Sequence, residues 1–212
     1  MDTKIRVLLV DDHAVVRAGF RLLLASVDAI EVVAEAARCE EACKLYEDCR
    51  PDVVVMDLSM PGIGGLEGIR RIVARDPEAK ILVFSIHDEK VYVDRAMAAG
   101  AKGYITKNSA PGILITAVRE IADGKTYIEA GLIAARSPKV QENCHQTLLA
   151  ALTPKEFDVF RLLAKGMTTH EAAGELCLGV KTVANYSTQI KTKLNVNTVA
   201  ELARIAIELR VI

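Results

Sequence analysis

The chain has 212 residues, 51% of them hydrophobic and 26% charged, and a formal net charge of −1. That length is a prior for one or two domains of ~100–200 residues, and the composition excludes a disordered or collagen-like chain. No apolar stretch approaches the ~18 residues of a membrane span, because Asp11 and Asp12 stop the run Ile5–Val10, which is also too short for a secretory signal. The expectation is a soluble, cytoplasmic protein with no membrane partner.

Through residue 124, short β-branched runs alternate with helical patterns. Strands are predicted at Ile5–Val10 and at residues 31–35, 52–56, 80–84 and 103–105. Helices are predicted near residues 13–26, Cys39–Cys49, and residues 64–75, 89–99 and 109–123. In the first helix Val16, Phe20, Leu23, Leu24 and Val27 form one apolar stripe. Val7 to Val10 and Val53 to Met56 are apolar without alternation, as strands covered on both faces are. Five β/α units in a row predict a doubly wound, five-stranded parallel sheet. Ligands of such sheets bind outside the carboxyl ends of the strands.

From residue 125 to 148 the pattern decays around Gly131, Ser137 and Pro138, which reads as a linker. Residues 149–212 then read as a small all-α domain. Thr153 with Glu156, and Thr168 with Glu171, are capping boxes, and Gly166 separates the two helices they open. A third helix follows over Val180–Leu194 and a fourth over residues 198–209. Two short helices joined by a tight turn give a helix-turn-helix pattern.

Charge divides unevenly: residues 1–135 carry −4 and residues 136–212 carry +3. No acid lies between Glu175 and Glu201, where Lys181, Lys191 and Lys193 stand. Such a stretch suits a polyanion, although a solvated helix face has the same look. Five cysteines without a CxxC pair argue against a disulfide framework. Cys39 and Cys43 share a helix face and read as buried thiols. The four scattered histidines give no zinc motif.

Asp11 and Asp12 follow the first strand and Asp57 follows the third, so three carboxylates gather at one sheet edge. Unneutralised, they would raise one another's pKa, and an all-oxygen set favours Mg²⁺. Helix capping by Asp11 and Asp12 is the plainer alternative. Ser85 after the fourth strand and Lys107 after the fifth add a hydroxyl and a cation. Together these groups suit phosphoryl handling.

With Asp11-Asp12, Met56-Asp57, Met60-Pro61, Gly65, Ser85, Ala98 to Ala101, Gly103-Tyr104 and Lys107, residues 1–124 resemble the receiver domain of two-component response regulators. The resemblance implies Asp57 as phosphoacceptor. It implies Asp12 and Asp57 as direct Mg²⁺ ligands, Asp11 through water, and the Ser59 carbonyl as a further ligand. Ser85 and Tyr104 would be the switch pair, with Tyr104 turning inward on phosphorylation, and Lys107 the phosphoryl-contacting cation. Asn108 stands where many receivers have Pro, which removes the reason for a cis bond, since a non-proline cis bond costs ~3 kcal/mol. His87 and Ser59 occupy positions that tune phosphoryl lifetime in that family.

Residues 150–209 resemble the LuxR-type helix-turn-helix of the NarL/FixJ regulators, through Leu152-Thr153-Pro154, Glu171-Ala172-Ala173, Lys181-Thr182-Val183 and Lys193-Leu194. By periodicity Val183, Ile190 and Leu194 point inward, while Lys181, Ala184, Asn185, Thr188 and Lys191 or Thr192 point out. Asn pairs with adenine, and Ala or Thr touches a thymine methyl. Lys181, Lys191, Lys193 and Thr182 suit phosphates. Gly179 replaces the usual Ser cap, Ala172 a larger aliphatic residue, and Tyr186 the commoner His.

The reading is a transcription regulator, not an enzyme, that a sensor histidine kinase phosphorylates on Asp57 and that binds double-stranded DNA as a homodimer when phosphorylated. One alternative is a regulator that acts through a protein partner without phosphorylation. Another is an α/β phosphatase, which would need a second acid two residues after the nucleophile; Ser59 stands there.

Overall fold

The computed structural model describes residues 4–134, 149, 152–209 and 211–212, in two compact units, Met1–Arg136 and Ser137–Ile212. In the first, strands β1 (Ile5–Val10), β2 (Ile30–Ala36), β3 (Val53–Met56), β4 (Ile81–Ser85) and β5 (Gly103–Thr106) alternate with helices. These are α1 (Ala14–Ala25), α2 (Cys39–Cys49), α3 (Gly65–Arg75), α4 (Lys90–Ala98) and α5 (Pro111–Ala122). These five strands are parallel in the order β2-β1-β3-β4-β5. Every residue of β3, β4 and β5 is buried, which is why Val53–Met56 of β3 and residues 81–84 of β4 run apolar without alternation. One cluster, around Leu9, Val55, Leu82, Phe84 and Ile105, packs against Leu114, Val118 and Ile121 of α5. Cys39 and Cys43 are both buried in α2.

The sheet carries one strand more than expected. Tyr127–Ile128 forms β6, paired with Gly103 and Tyr104 of β5, and α6 (Ala130–Ala134) follows it. The expected receiver boundary at 124 and the start of the expected linker at 125 therefore fall inside the first compact unit. A strand of two residues has no readable period, so nothing in the sequence separates it from a loop. Gly103 makes the pairing possible, since a Cβ there would stand 2.6 Å from the Tyr127 carbonyl oxygen. Residues 135–148 of the expected linker lie outside the described residues.

The second unit is helical: α7 (Pro154–Ala164), α8 (Thr169–Glu175), α9 (Val180–Leu194) and α10 (Val199–Glu208). Both expected capping boxes form, and a third, Thr198 with Glu201, opens α10. Phe157 and Phe160 of α7 sit in a core with Val183, Ile190 and Leu194 of α9 and Leu202 and Ile205 of α10. Past α8, Cys177 takes a left-handed conformation with φ 53°, closing the turn before α9. Among the described residues, no helix is long and apolar enough to cross a membrane.

Candidate functional site

The register of the parallel sheet builds the first site. Val10 pairs with Met56, so Asp11 and Asp57 leave neighbouring strands side by side, and the Asp57 N–H donates to the Val10 carbonyl at 2.9 Å. Ser85 pairs with Thr106, which puts Lys107 at the same edge, its N–H donating to the Ser85 carbonyl at 2.7 Å. Behind Asp57, α3 begins so close that a Cβ on Gly65 would run into the Asp57 carbonyl oxygen. The loop from β3 into α3 is thereby clamped with Asp57 at its base, and glycine is required.

Lys107 crosses from β5 to both acids. Its ammonium lies 2.6 Å from Asp11 Oδ2 and 2.7 Å from Asp57 Oδ2. Asp11 and Asp57 are each 2% exposed. Burial opposes the charge on Lys107, but the Asp57 and Asp11 carboxylates outweigh it and hold its pKa above the ordinary value. Burial likewise pushes the Asp57 carboxyl up, against the pull of Lys107 and of the Ser59 N–H, which donates to Asp57 Oδ1 at 3.2 Å.

Capping does not account for the acidic pair. The N-cap of α1 is His13, with no side-chain cap, and Asp11 Oδ1 instead accepts the His13 N–H at 2.8 Å. Ligand atoms of Asp11, Asp12, His13 and Asp57 all lie within 4.8 Å of one another. Asp11 Oδ2 and Asp12 Oδ1 are buried, with the Lys107 ammonium 2.6 Å from the first and the His13 ring 2.9 Å from the second. Three carboxylates against one ammonium leave an excess of two negative charges. A divalent cation that prefers oxygen fits that excess and those oxygens. His13 was not anticipated, because only its ring orientation, 2.9 Å from Asp12 Oδ1, joins it to the cluster.

Around this centre the switch residues form a connected group. Tyr104 is fully buried and already turned inward, where its hydroxyl donates to the His87 carbonyl at 2.8 Å. The inward rotamer thus has a hydrogen-bond partner of its own. Burial pushes the phenol pKa well up, so the ring stays neutral. Ser85 Oγ accepts the His87 N–H at 3.3 Å, and the His87 ring reaches Ser59 Oγ at 3.0 Å while stacking on Tyr92 of α4 at 4.0 Å. Among the described residues no peptide bond is cis.

The second site is α9. Val183, Ile190 and Leu194 are buried, whereas Lys181, Thr182, Ala184, Asn185 and Thr188 are exposed and Lys191 is half-buried. One expected contact has another partner. Lys193 Nζ lies 2.6 Å from Glu156 Oε2, the acid of the α7 capping box. Burial opposes charge on Glu156, but Lys193 and the N–H and hydroxyl of Thr153 hold its carboxyl below the ordinary value. Sequence spacing hides this pair, since 37 residues separate its members.

Residues 7–119 match the response regulator receiver domain family, and residues 150–206 match the bacterial regulatory proteins of the luxR family. The chain is a LuxR-type response regulator of the NarL/FixJ group. Among relatives of this response regulator, the transcriptional activator protein ExaE of Pseudomonas putida is 41% identical over 204 residues, covering 95% of each chain. The response regulator UvrY of Escherichia coli K12 is 37% identical, over 96% of this chain and 94% of its own. A solved structure of two RcsB dimers bound to two parallel DNAs is 25% identical, with a TM-score of 0.62 over 98% of this chain and all of that one. The two-component regulator thus has a receiver unit and a LuxR-type DNA-binding unit.

Proposed function

We propose that this regulator is switched by phosphorylation of Asp57 and then binds double-stranded DNA as a homodimer through α9. The observation that carries the proposal is the placement of Lys107 between Asp11 and Asp57. It is a pre-formed cation at the edge where a transferred phosphoryl group would bring negative charge. A carboxylate oxygen of Asp57 attacks the phosphorus of a phosphohistidine in a sensor histidine kinase, or of a small phosphodonor. The P–O bond forms as the bond to the leaving group breaks. Asp11, Asp12, Asp57 and the Ser59 carbonyl would hold Mg²⁺, which would supply neutralisation of charge on the transferring group.

Lys107 and Ser85 then meet the phosphoryl oxygens, and Tyr104 is held inward. Since the inward rotamer already has a partner at His87, phosphorylation acts by shifting an existing equilibrium. On α9, Lys181, Thr182 and Lys191 contact phosphates. Ala184, Asn185 and Thr188 face base edges.

The test is labelling by acetyl phosphate with Mg²⁺. Asp57→Ala should take no acid-labile phosphate, while Asp11→Ala or Asp12→Ala should raise the Mg²⁺ needed. Full labelling of Asp57→Ala would sink the proposal. The inward Tyr104 also favours a second reading, in which a protein partner switches the regulator without phosphate. DNA binding by Asp57→Ala that equals that of the phosphorylated wild type would favour that alternative.

A further inference from the structure

The turn that carries Lys107 is fastened by a residue from the segment leaving the sheet. Glu129 follows β6 directly, and its Oε2 accepts three hydrogen bonds: from the Thr106 N–H at 2.9 Å, from Ser109 Oγ at 2.7 Å and from Thr106 Oγ1 at 3.2 Å. Its own N–H donates to the carbonyl of Tyr104, the switch residue, at 3.1 Å. Lys107 lies between the two residues that this one oxygen holds. A carboxylate suits the position, because it only accepts and its bonds are charge-assisted. The α5 helix gives no substitute anchor: its N-cap, Ala110, has no side-chain hydrogen bond.

We infer that Glu129 is a positioning residue for the phosphoryl site. Its carboxylate clasps the turn over residues 106–109, fixes the base of the Lys107 side chain, and ties that turn to the segment through which the chain continues toward the DNA-binding unit. A shift of Lys107 toward a phosphoryl group pulls Thr106 and Ser109, and their shared acceptor must follow or release them. The chain from β6 into α6 therefore reports the state of Asp57. This coupling rests on the proposed phosphorylation; the clasp itself does not.

The experiment follows amide hydrogen exchange by NMR on the full chain as wild type, Glu129→Ala and Glu129→Gln. Without phosphodonor, the Thr106 amide should exchange at least about tenfold faster in Glu129→Ala. In Glu129→Gln, whose amide oxygen still accepts, the rise should stay within about threefold. Core amides such as that of Val55 should be unchanged, which separates loss of the clasp from loss of the fold. Should Glu129→Ala fail to fold, Ser109→Ala, which removes the shortest of the three bonds, carries the test with a rise of about threefold. An unchanged Thr106 amide in the folded variant overturns the clasp.

With acetyl phosphate and Mg²⁺, labelled wild type should change exchange over residues 127–134, and Glu129→Ala should take the label without that change. Labelled Glu129→Ala that responds like wild type, or labelled wild type with no response there, overturns the coupling. Wild type that takes no label refutes the proposed phosphorylation instead, and the Thr106 amide alone then decides the clasp.

Discussion

Replacing Lys193 by Ala decides whether this lysine serves the fold or the DNA. Its ammonium stands 2.6 Å from a Glu156 carboxylate that is 4% exposed, while Lys193 itself is 39% exposed. Glu156 Oε2 also accepts the Thr153 N–H at 2.7 Å, so one oxygen serves both the helix cap and the cross-helix pair. At that separation and an effective dielectric of ~20, the gross attraction is about 6 kcal/mol. Desolvation of Glu156, ordering of the lysine and screening on its open side offset most of this, leaving about 1–2 kcal/mol.

Because 1 kcal/mol moves the Tm of a unit this small by about 4–8 °C, thermal unfolding of the full chain should show a clear drop in the C-terminal transition. Lys181→Ala, an exposed position, should stay within about 0.5 kcal/mol of wild type. The pH dependence has a definite sign. Lys193 and Thr153 lower the folded pKa of Glu156, so the pair's stability is present above the ordinary value of 4.5 and lost as pH falls through the folded value. The gap between wild type and Lys193→Ala should thus be full at neutral pH and close under acid. A Lys193→Ala protein that melts with wild type, yet loses about one counterion from the salt dependence of DNA binding, would refute the strut and restore the phosphate contact.

Lys107→Ala should keep Mg²⁺ binding, since the ammonium competes with the cation for Asp11 and Asp57, but lose the phosphorylation-driven gain in dimerisation; magnesium titration and sedimentation on one sample read both. Asn185→Ala should cost on the order of 1–3 kcal/mol on the preferred site and relax one base position, as a randomised-site selection would reveal. Identical base preferences in mutant and wild type would remove Asn185 from base reading. Cys177→Gly should raise stability by about 1 kcal/mol, because Cys177 holds φ 53° where glycine has no steric penalty, and chemical denaturation checks it.

What the sequence reveals and hides follows from the range of each interaction. Strand and helix periods are local, so the elements at Ile5–Val10, Cys39–Cys49 and Val180–Leu194 are legible from the sequence. The carboxyl edge was legible one step further, because a parallel sheet must bring Asp11, Asp57, Ser85 and Lys107 to one side. Which side chains then touch depends on strand order and reach. Lys107 spans from β5 past β4 to acids on β3 and β1, and no spacing rule contains that span. Two further pairings obey the same logic at greater cost to the reader. Lys193 looked like a phosphate contact because its charge is visible and Glu156 is 37 residues away. Glu129 looked like linker because β6 has only two residues, and its partners lie 20 and 23 residues upstream. In each case the charge was readable and its destination was not. Buried or half-buried charges must find partners, so a lone acid beside a weak strand signal, or a lysine near a buried helix face, is a position where a long-range pair belongs.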